Sequence, residues 1–162
     1  FIADTARPKT VINLMRSNFE EQIKSIGGLA TSTKSLHEII TMASILEGEA
    51  NTTESRKIVS GILCKRITAG MRLRVDATFK YINGKGTFQL TYDDLKIDNP
   101  YNTYVYKGLP PGPIGNPGLD AINAALYPKT TRYLYFFIFY DGKMYYGRTF
   151  EEHKRNKALY LR

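Results

Sequence analysis

Three carboxylates in this sequence could carry acid–base chemistry: Glu47, Glu49 and Asp76. The two glutamates close an apolar stretch, residues 41–50, with only Gly48 between them. Carboxylates at the C-terminal end of a helix face the negative end of its dipole, so a functional reason for their presence is worth seeking. The structural alternative is a solvated glutamate pair at a frayed helix end. Glycosidic bond cleavage is one of several reactions that such carboxylates can catalyse.

A single helix is predicted to position both glutamates, beginning at the capping box formed by Ser35 and Glu38. Apolar side chains then recur at helical spacing, at Leu36, Ile39, Ile40, Ala43 and Leu46. Glu47 continues this stripe toward the core, where a carboxylate needs a hydrogen-bond partner. Glu49 lies about 200° round the helix from Glu47, so the two do not face each other. Gly48 is expected to loosen the last turn and let Glu49 project. Periodicity alone therefore favours Glu47 as the more perturbed carboxylate.

The remaining pattern predicts an α+β fold: a single mixed domain over residues 1–162, with about five helices and a small sheet. Further helices are expected over residues 5–26, after a capping-box-like start at 51–54, after Asn116-Pro117, and through the basic C-terminal stretch to residue 162. In the helix after residue 54, Lys65 and Arg66 fall off the apolar face. Period-two alternation predicts a strand over residues 71–82. An aromatic run predicts a central strand over 132–140, which turns at Asp141-Gly142 into a hairpin.

Composition is that of a soluble globular domain, with 43% hydrophobic and 23% charged residues and no apolar run long enough to cross a bilayer. The net charge of +8 favours an acidic partner, but the basic residues are scattered and form no nucleic-acid-binding motif. The single cysteine, Cys64, can form neither an internal disulfide nor a zinc cluster and is predicted to be a buried structural thiol. No metal or cofactor is expected.

The Pro- and Gly-dense segment at residues 99–118 also contains several aromatic residues. Disordered linkers are poor in aromatics, and proline reduces the entropy cost of ordering a chain. We therefore predict a rigid loop packed on the domain. Such loops often form walls of functional sites, although an irregular connection is an equally simple explanation.

The motifs, taken in order, resemble those of the YceG-like family, the endolytic murein transglycosylases. Residues 43–49, A-S-I-L-E-G-E, are similar to the family's A-S-I-[IV]-E-K-E, and residues 65–78 resemble N-R-L-x-x-G-M-x-L-Q-x-D-x-T. Residues 101–118 match every named position of Y-N-T-Y-x-x-x-G-L-P-P-G-P-I-x-N-P-G, which is the most specific of these motifs. The first five residues resemble the end of the family's F-P-D-T-Y, and Glu152-His153 resembles its closing E-H-N.

The resemblance implies a reaction and a set of site residues. Lytic transglycosylases cut the β-1,4 bond between N-acetylmuramic acid and N-acetylglucosamine and leave a 1,6-anhydro end. The family's catalytic acid–base falls on Glu49, with Glu47 as its support, and Asp76 and Thr78 are expected to orient Glu49 or the substrate. The expected sugar-facing wall consists of Tyr101, Asn102, Tyr104, Leu109 and Pro110. The choice of Glu49 over Glu47 rests on this resemblance.

The resemblance also implies where such a domain works. The expected partners are peptidoglycan glycan strands and cell-wall synthases, with no nucleic acid. The expected location is the extracytoplasmic face of the bacterial cytoplasmic membrane, reached through an N-terminal anchor that, like the family's LysM-like domain, is expected to lie outside this chain. The main alternative is a non-catalytic peptidoglycan-binding or scaffold module of the same fold, and a basic nucleic-acid-binding domain is a third hypothesis.

Five positions depart from the family pattern. Gly48 stands in place of Lys, Ala50 in place of Thr, Lys65 in place of Asn, Arg74 in place of Gln, and Met144 near an expected His. The substitution at residue 74 is expected to alter saccharide contacts, and that at residue 144 to alter contacts of the hairpin. None of them removes Glu49.

Overall fold

Six α-helices and one two-stranded sheet form the regular structure of residues 7–139 and 141–160, which are the residues described by the computed structural model. The elements are α1 (Pro8–Lys24), α2 (Leu36–Glu49), α3 (Thr53–Thr68), α4 (Ala77–Asn83), α5 (Leu119–Leu126), β1 (Tyr135–Ile138), β2 (Met144–Gly147) and α6 (Phe150–Tyr160). Short 3₁₀ turns occupy Thr87–Gln89 and Asp94–Lys96. The predicted α+β class is therefore confirmed. Residues 1–6, which include the first family motif, lie outside the described part, as do Tyr140 and residues 161–162.

The chain forms two compact units, residues 1–32 and residues 33–162. The first contains α1, which begins at Pro8, where a missing N–H costs nothing, and ends at Lys24. The helix predicted over residues 5–26 is thus confirmed over its described part. None of the described helices is long and apolar enough to cross a membrane.

The core of the second unit forms where α2, α3 and α5 pack against one another. The predicted capping box of Ser35 and Glu38 starts α2, and residues 41–46 are buried on every side of the helix. α3 starts one residue later than the predicted box, with Thr52 and Ser55 as the reciprocal pair. The main apolar side chains of this core are Ile39, Ile45, Leu46, Val59, Ile62, Leu63, Phe79 and Ile122. The core therefore encloses α2 up to its last turn and fixes the direction of that end.

The strand predicted over residues 71–82 is wrong. Residues 71–75 form no regular element, and Arg74 has a positive φ of 48°. Buried Leu73 and Val75 do alternate with exposed Arg72 and Arg74, but the backbone pairs with a loop. The Arg74 N–H donates to the carbonyl of Thr103, and the Val75 N–H donates to the Thr103 hydroxyl. From residue 77 the chain is helical, and the adjacent residues 78 and 79 are both buried. The alternation was misleading because it joins an irregular segment, which pairs with a loop, to a short helix whose aromatic residues are typical of strands.

Two other boundaries differ from the predictions. α5 has Gly118 as its N-cap residue, so the Asn116-Pro117 pair lies in the loop before it. The hairpin forms as predicted, with Tyr135 opposite Gly147 and Ile138 opposite Met144. β1 pairs only with β2 among the described strands, so its predicted central position is wrong. Its aromatic side chains are half-buried because α6 covers this small sheet.

Candidate active site

Glu49 is the last residue of α2, and its carboxylate reaches the beginning of α4. Its Oε1 atom accepts a 2.9 Å hydrogen bond from the backbone N–H of Ala77. The residue keeps some exposure to solvent, although its carboxyl group is enclosed by protein atoms. Burial raises the pKa of Glu49 to about 7; the Asp76 charge adds to this increase, while the Ala77 N–H and the Arg66 charge oppose it. Both protonation states are therefore populated near neutral pH.

The close approach of α2 and α4 depends on Gly48. α2 continues through Gly48 to Glu49, so the expected loosening of its last turn is wrong. A Cβ atom at residue 48 would lie 2.8 Å from the Cβ of Ala77, well inside the normal separation of nonbonded carbon atoms. The missing side chain lets α4 approach and brings the Ala77 N–H within reach of Glu49.

Asp76 immediately precedes α4 and pairs with Tyr104 from the Pro-rich loop. The Tyr104 hydroxyl donates a 2.5 Å hydrogen bond to Oδ1 of Asp76. Burial raises the pKa of Asp76, although the bond from Tyr104 acts in the opposite direction. Burial, followed by the Asp76 charge, raises the pKa of Tyr104 far above its ordinary value, so the phenol remains a donor at neutral pH. The structure thus brings two predicted site residues together beside Glu49.

Glu47 lies on a different side of the helix end. It accepts a 2.8 Å hydrogen bond from Arg56, which also binds Asp120 at 2.7 Å, and a 3.0 Å bond from the Gly118 N–H. Its side chain is 39% exposed, so the prediction that it points toward the core is wrong. The buried stripe ends one residue earlier, at Leu46. Glu47 does contact the last residue of the Pro-rich segment, which is one of the supporting roles expected for it.

Thr78 and Asn102 are buried, and their polar groups bind the backbone. The Thr78 hydroxyl donates to the carbonyl of Val75 at 3.0 Å. The Asn102 amide donates to two carbonyls of the preceding turn, at 3.1 and 2.8 Å, and its oxygen accepts from the Tyr104 N–H. A direct sugar contact by Asn102 is contradicted by this burial. Its amide instead fixes the turn that carries Tyr104.

Two predicted wall residues, Leu109 and Pro110, line a cavity of about 470 Å³ near the start of α2. Its other lining residues are Lys34, His37, Glu38, Thr41, Met42, Cys64, Ile67, Thr68 and Pro111. His37 precedes Glu49 by 12 residues in α2, or about 18 Å at 1.5 Å per residue. The same cavity extends along α2 to Met42, and the sugar-facing wall formed by Leu109, Pro110 and Pro111 stays a prediction. Tyr101 packs against Tyr81 on α4, with ring centroids 4.5 Å apart.

Arg66, whose charge acts on Glu49, was not predicted as a site residue. The predicted position off the core face is wrong, because its side chain is 7% exposed. Its guanidinium donates to the carbonyls of Leu73 and Leu134 at 2.6 and 2.7 Å. Residues 65–67 stand at the family's N-R-L motif, and that match was the available signal.

His153 on α6 lies behind Arg66 and was not predicted as a site residue. Its ring packs on Tyr135 and Phe137, with centroids 5.5 and 5.8 Å apart. Burial, together with the positive charges of Lys157 and Arg66, lowers the pKa of His153 to about 4. The imidazole is therefore neutral at pH 7 and packs as an aromatic ring between α6 and the hairpin.

The arrangement suits proton transfer by one carboxyl group, with an Asp–Tyr pair held beside it. Glu49 and Glu47 point to different sides of the helix, so they do not form a facing pair of carboxylates. Within residues 7–139 and 141–160, no group of three or more His, Cys, Asp or Glu residues is placed to hold a metal ion.

Comparison with known proteins gives a consistent result. The model of the YceG-like family matches residues 1–159. A Bacillus subtilis (strain 168) protein named endolytic murein transglycosylase is 40% identical over 127 residues, which are 78% of this chain and 35% of that protein. A protein of the same name from Streptococcus pneumoniae serotype 2 is 37% identical over 132 residues, or 78% of this chain and 24% of that protein. The chain thus spans about a third or a quarter of the length of these relatives.

A solved structure has the same fold. It is the 2.6 Å crystal structure of a yceG-like protein from Listeria monocytogenes, which superposes with a TM-score of 0.87 at 38% identity. The superposition covers 97% of this chain and 52% of that protein. The similarity therefore includes both the elements that position Glu49 and nearly all of the remaining chain.

Proposed function

The chain belongs to the YceG-like family, and from this premise we propose that it is the catalytic part of an endolytic murein transglycosylase. Two relatives with 37–40% identity carry that name, and the chain covers only part of each. The proposed reaction cleaves the β-1,4 bond between N-acetylmuramic acid and N-acetylglucosamine in peptidoglycan glycan strands. Its product has a 1,6-anhydro-muramyl end, since no water is added.

Glu49 performs both proton transfers in this proposal. Its protonated carboxyl gives a proton to the glycosidic oxygen as the bond from C1 to that oxygen breaks. The resulting carboxylate then takes the proton of the sugar's own 6-hydroxyl as that oxygen bonds to C1. Glu49 gives up one proton and takes one back, so a second catalytic carboxylate is not required. Transfer of this kind is most efficient when the acid's pKa lies near the working pH.

The observation that carries the proposal is the enclosed carboxyl group of Glu49, with its pKa raised to about 7. Asp76, whose charge raises the pKa of Glu49, is the group that we propose stabilises the positive charge developing at C1. Tyr104 holds Asp76 in place through their 2.5 Å hydrogen bond. Tyr101, exposed in part beside Tyr81, offers an aromatic ring for sugar stacking at a greater distance from the reaction.

The proposed setting follows from the substrate. Murein lies outside the cytoplasmic membrane, so we place this domain on the extracytoplasmic face, held there by an anchor outside this chain and working beside cell-wall synthases. A fusion of the full-length protein to a reporter that is active only outside the cytoplasm tests the location. Activity of a reporter that works only in the cytoplasm would contradict it.

The reaction itself is tested by mass spectrometry of the products released from purified peptidoglycan. The proposal predicts muropeptides with anhydro ends from the wild-type domain and their loss in Glu49→Gln. Reducing ends would mean hydrolysis with water as the nucleophile. Strand binding without any product would favour the alternative of a binding or scaffold module, and salt-dependent DNA binding with a clear slope would favour a nucleic-acid partner.

A further inference from the structure

Arg66 is an arginine in the interior of the second unit, on the side of α3 that faces the candidate site. Only 7% of the residue is exposed, and its nearest hydrogen-bond partners are backbone carbonyls. A buried guanidinium is costly unless its donors are satisfied. A well-packed apolar side chain would serve stability as well or better. Its position therefore calls for a role beyond filling the core.

The first carbonyl that Arg66 binds belongs to the segment just before Ala77, the residue whose N–H binds Glu49. Nη1 donates to the Leu73 carbonyl at 2.6 Å. Leu73 belongs to the segment 71–75, and the chain then passes through Asp76 to Ala77, whose N–H binds Glu49. Arg66 thus fixes the segment that presents both the backbone donor and the neighbouring carboxylate to the candidate acid.

The second carbonyl belongs to the aromatic hairpin. Nε donates to the Leu134 carbonyl at 2.7 Å, one residue before β1. The guanidinium carbon lies 5.3 Å from the centre of the Tyr135 ring and 6.0 Å from that of Phe136, both distances at which a cation is attracted to the ring face. One side chain therefore connects the hairpin to the segment that contacts Glu49.

The charges around Glu49 come from three different elements. Asp76 precedes α4 and raises the pKa of Glu49, while Arg66 on α3 lowers it. Tyr104 lies in the loop and is neutral. On α6, Lys157 acts on Asp76, and the neutral His153 packs against the hairpin. Arg74, in the segment 71–75, acts on Tyr104 and on Arg66. Arg66 is the cation in this set whose charge lowers the pKa of Glu49.

We propose that Arg66 is a positioning residue for the Glu49 acid, holding the 71–75 segment and the β1–β2 hairpin in the arrangement that the reaction requires. The proposal rests on the transglycosylase function proposed above. Arg66 acts on Glu49 in two ways, through the position of the Ala77 N–H and through its own charge. It does not touch the substrate.

The test compares Arg66→Met and Arg66→Lys with Arg56→Met. Arg56 is the matched control, since it lies on the same helix and binds Glu47 instead of Glu49. Two readouts are followed: the kcat and KM of anhydro-product formation, and the titration of Glu49 by carbon NMR in each variant. The titration requires no activity, so it separates a failure of this proposal from a failure of the proposed function.

In Arg66→Met, the Glu49 titration should move up by about one pH unit, because the opposing positive charge is gone. The value of kcat should fall by about tenfold to a hundredfold with KM nearly unchanged, because the acid is misplaced. Arg66→Lys keeps the charge and loses the forked geometry, so the titration should return while kcat recovers only in part. Arg56→Met should leave both readouts at their wild-type values.

Unchanged titration and kcat in Arg66→Met would overturn the proposal. An equal shift in Arg56→Met would also overturn it, because the effect would then be a general loss of positive charge. If Arg66→Met does not fold, Arg66→Gln, which is neutral and still donates hydrogen bonds, decides by the same titration. A wild-type domain that forms no anhydro product would refute the proposed reaction. The titrations would still test whether Arg66 positions Glu49.

Discussion

Glu47 and Glu49 are two carboxylates at the end of one helix, and their surroundings differ in almost every respect. Glu47 is substantially exposed and bound by the guanidinium of Arg56. Glu49 is enclosed, and its direct hydrogen-bond donor is a backbone N–H. Burial favours the protonated form of a carboxylate and raises the pKa of Glu49 to about 7. Two residues of separation are thus enough to give the same side chain two different roles.

The largest expected effect is on activity, with Glu49→Gln compared against Glu47→Gln. Removing a general acid–base costs about a hundredfold to ten-thousandfold in rate. We therefore expect anhydro-product formation to fall by at least about a hundredfold in Glu49→Gln. Glu47→Gln, which removes an exposed ion pair but keeps an oxygen that can accept from the Gly118 N–H, should stay within about threefold of wild type. Equal losses in the two variants would mean that the glutamates act together, against the division of roles described above.

A second effect concerns the dependence of stability on pH. The folded-state pKa of Glu49, about 7, lies above its ordinary value of 4.5, so ionisation destabilises the folded state. The cost is absent below the ordinary value, grows as pH rises between the two values, and is complete above pH 7. Glu49→Gln should therefore be more stable than wild type at pH 8 by up to about 3 kcal/mol, with little difference at pH 4. Urea unfolding of both proteins at each pH measures this gain. A difference in the free energy of unfolding that is the same at pH 4 and pH 8 would contradict the prediction.

A third prediction concerns the contact that positions Glu49. In Gly48→Ala the new Cβ would meet the Cβ of Ala77 at 2.8 Å, so α2 and α4 must separate. Overpacking of this kind costs about 1–3 kcal/mol in the free energy of unfolding. The displaced Ala77 N–H should also weaken activity by more than the stability loss explains. Gly27→Ala provides the control, since a Cβ there meets no atom within 4 Å. Wild-type stability and activity in Gly48→Ala would show that the close approach is not needed.

The smallest effect is expected on the exposed side. Arg56→Met removes the ion pairs to Glu47 and Asp120, whose side chains are each 39% exposed. The loss should be about 1 kcal/mol at pH 7, because solvent screens such pairs. The hydrogen bond from Arg56 lowers the pKa of Asp120, so this stability is present above the ordinary value of 3.8 and is lost as pH falls below it. A loss that stays constant down to pH 2 would show that packing, and not charge, is responsible.

The sequence predicted the elements of this fold better than their boundaries and contacts. The Ser35–Glu38 capping box and the apolar spacing behind it identified α2, because both signals are local. The segment 71–82 was misassigned, because alternation in 71–75 arises from pairing with a loop that lies about thirty residues further along the chain. A pairing at that separation leaves no local pattern to distinguish it from a sheet.

The residues of the candidate site also differ in how well the sequence predicted them. Periodicity favoured Glu47 as the buried carboxylate, because it could not foresee that the buried stripe ends at Leu46. Glu49 was chosen through the family motif; its carboxyl group is enclosed and its pKa raised, and its catalytic role stays a prediction. Asn102 was misjudged because an amide that binds a sugar and an amide that binds a turn look the same in sequence. Arg66 was missed because helical periodicity does not reveal which long polar side chains fold back into the interior.

The most direct test of the central claim is the titration of the glutamate side chains by carbon NMR in wild type, Glu49→Gln and Glu47→Gln. We expect one glutamate carboxyl with a midpoint near pH 7 in wild type and in Glu47→Gln, and its disappearance in Glu49→Gln. If every glutamate in the wild-type protein titrates near the ordinary value of 4.5, or if the high titration survives in Glu49→Gln, Glu49 is not the perturbed acid.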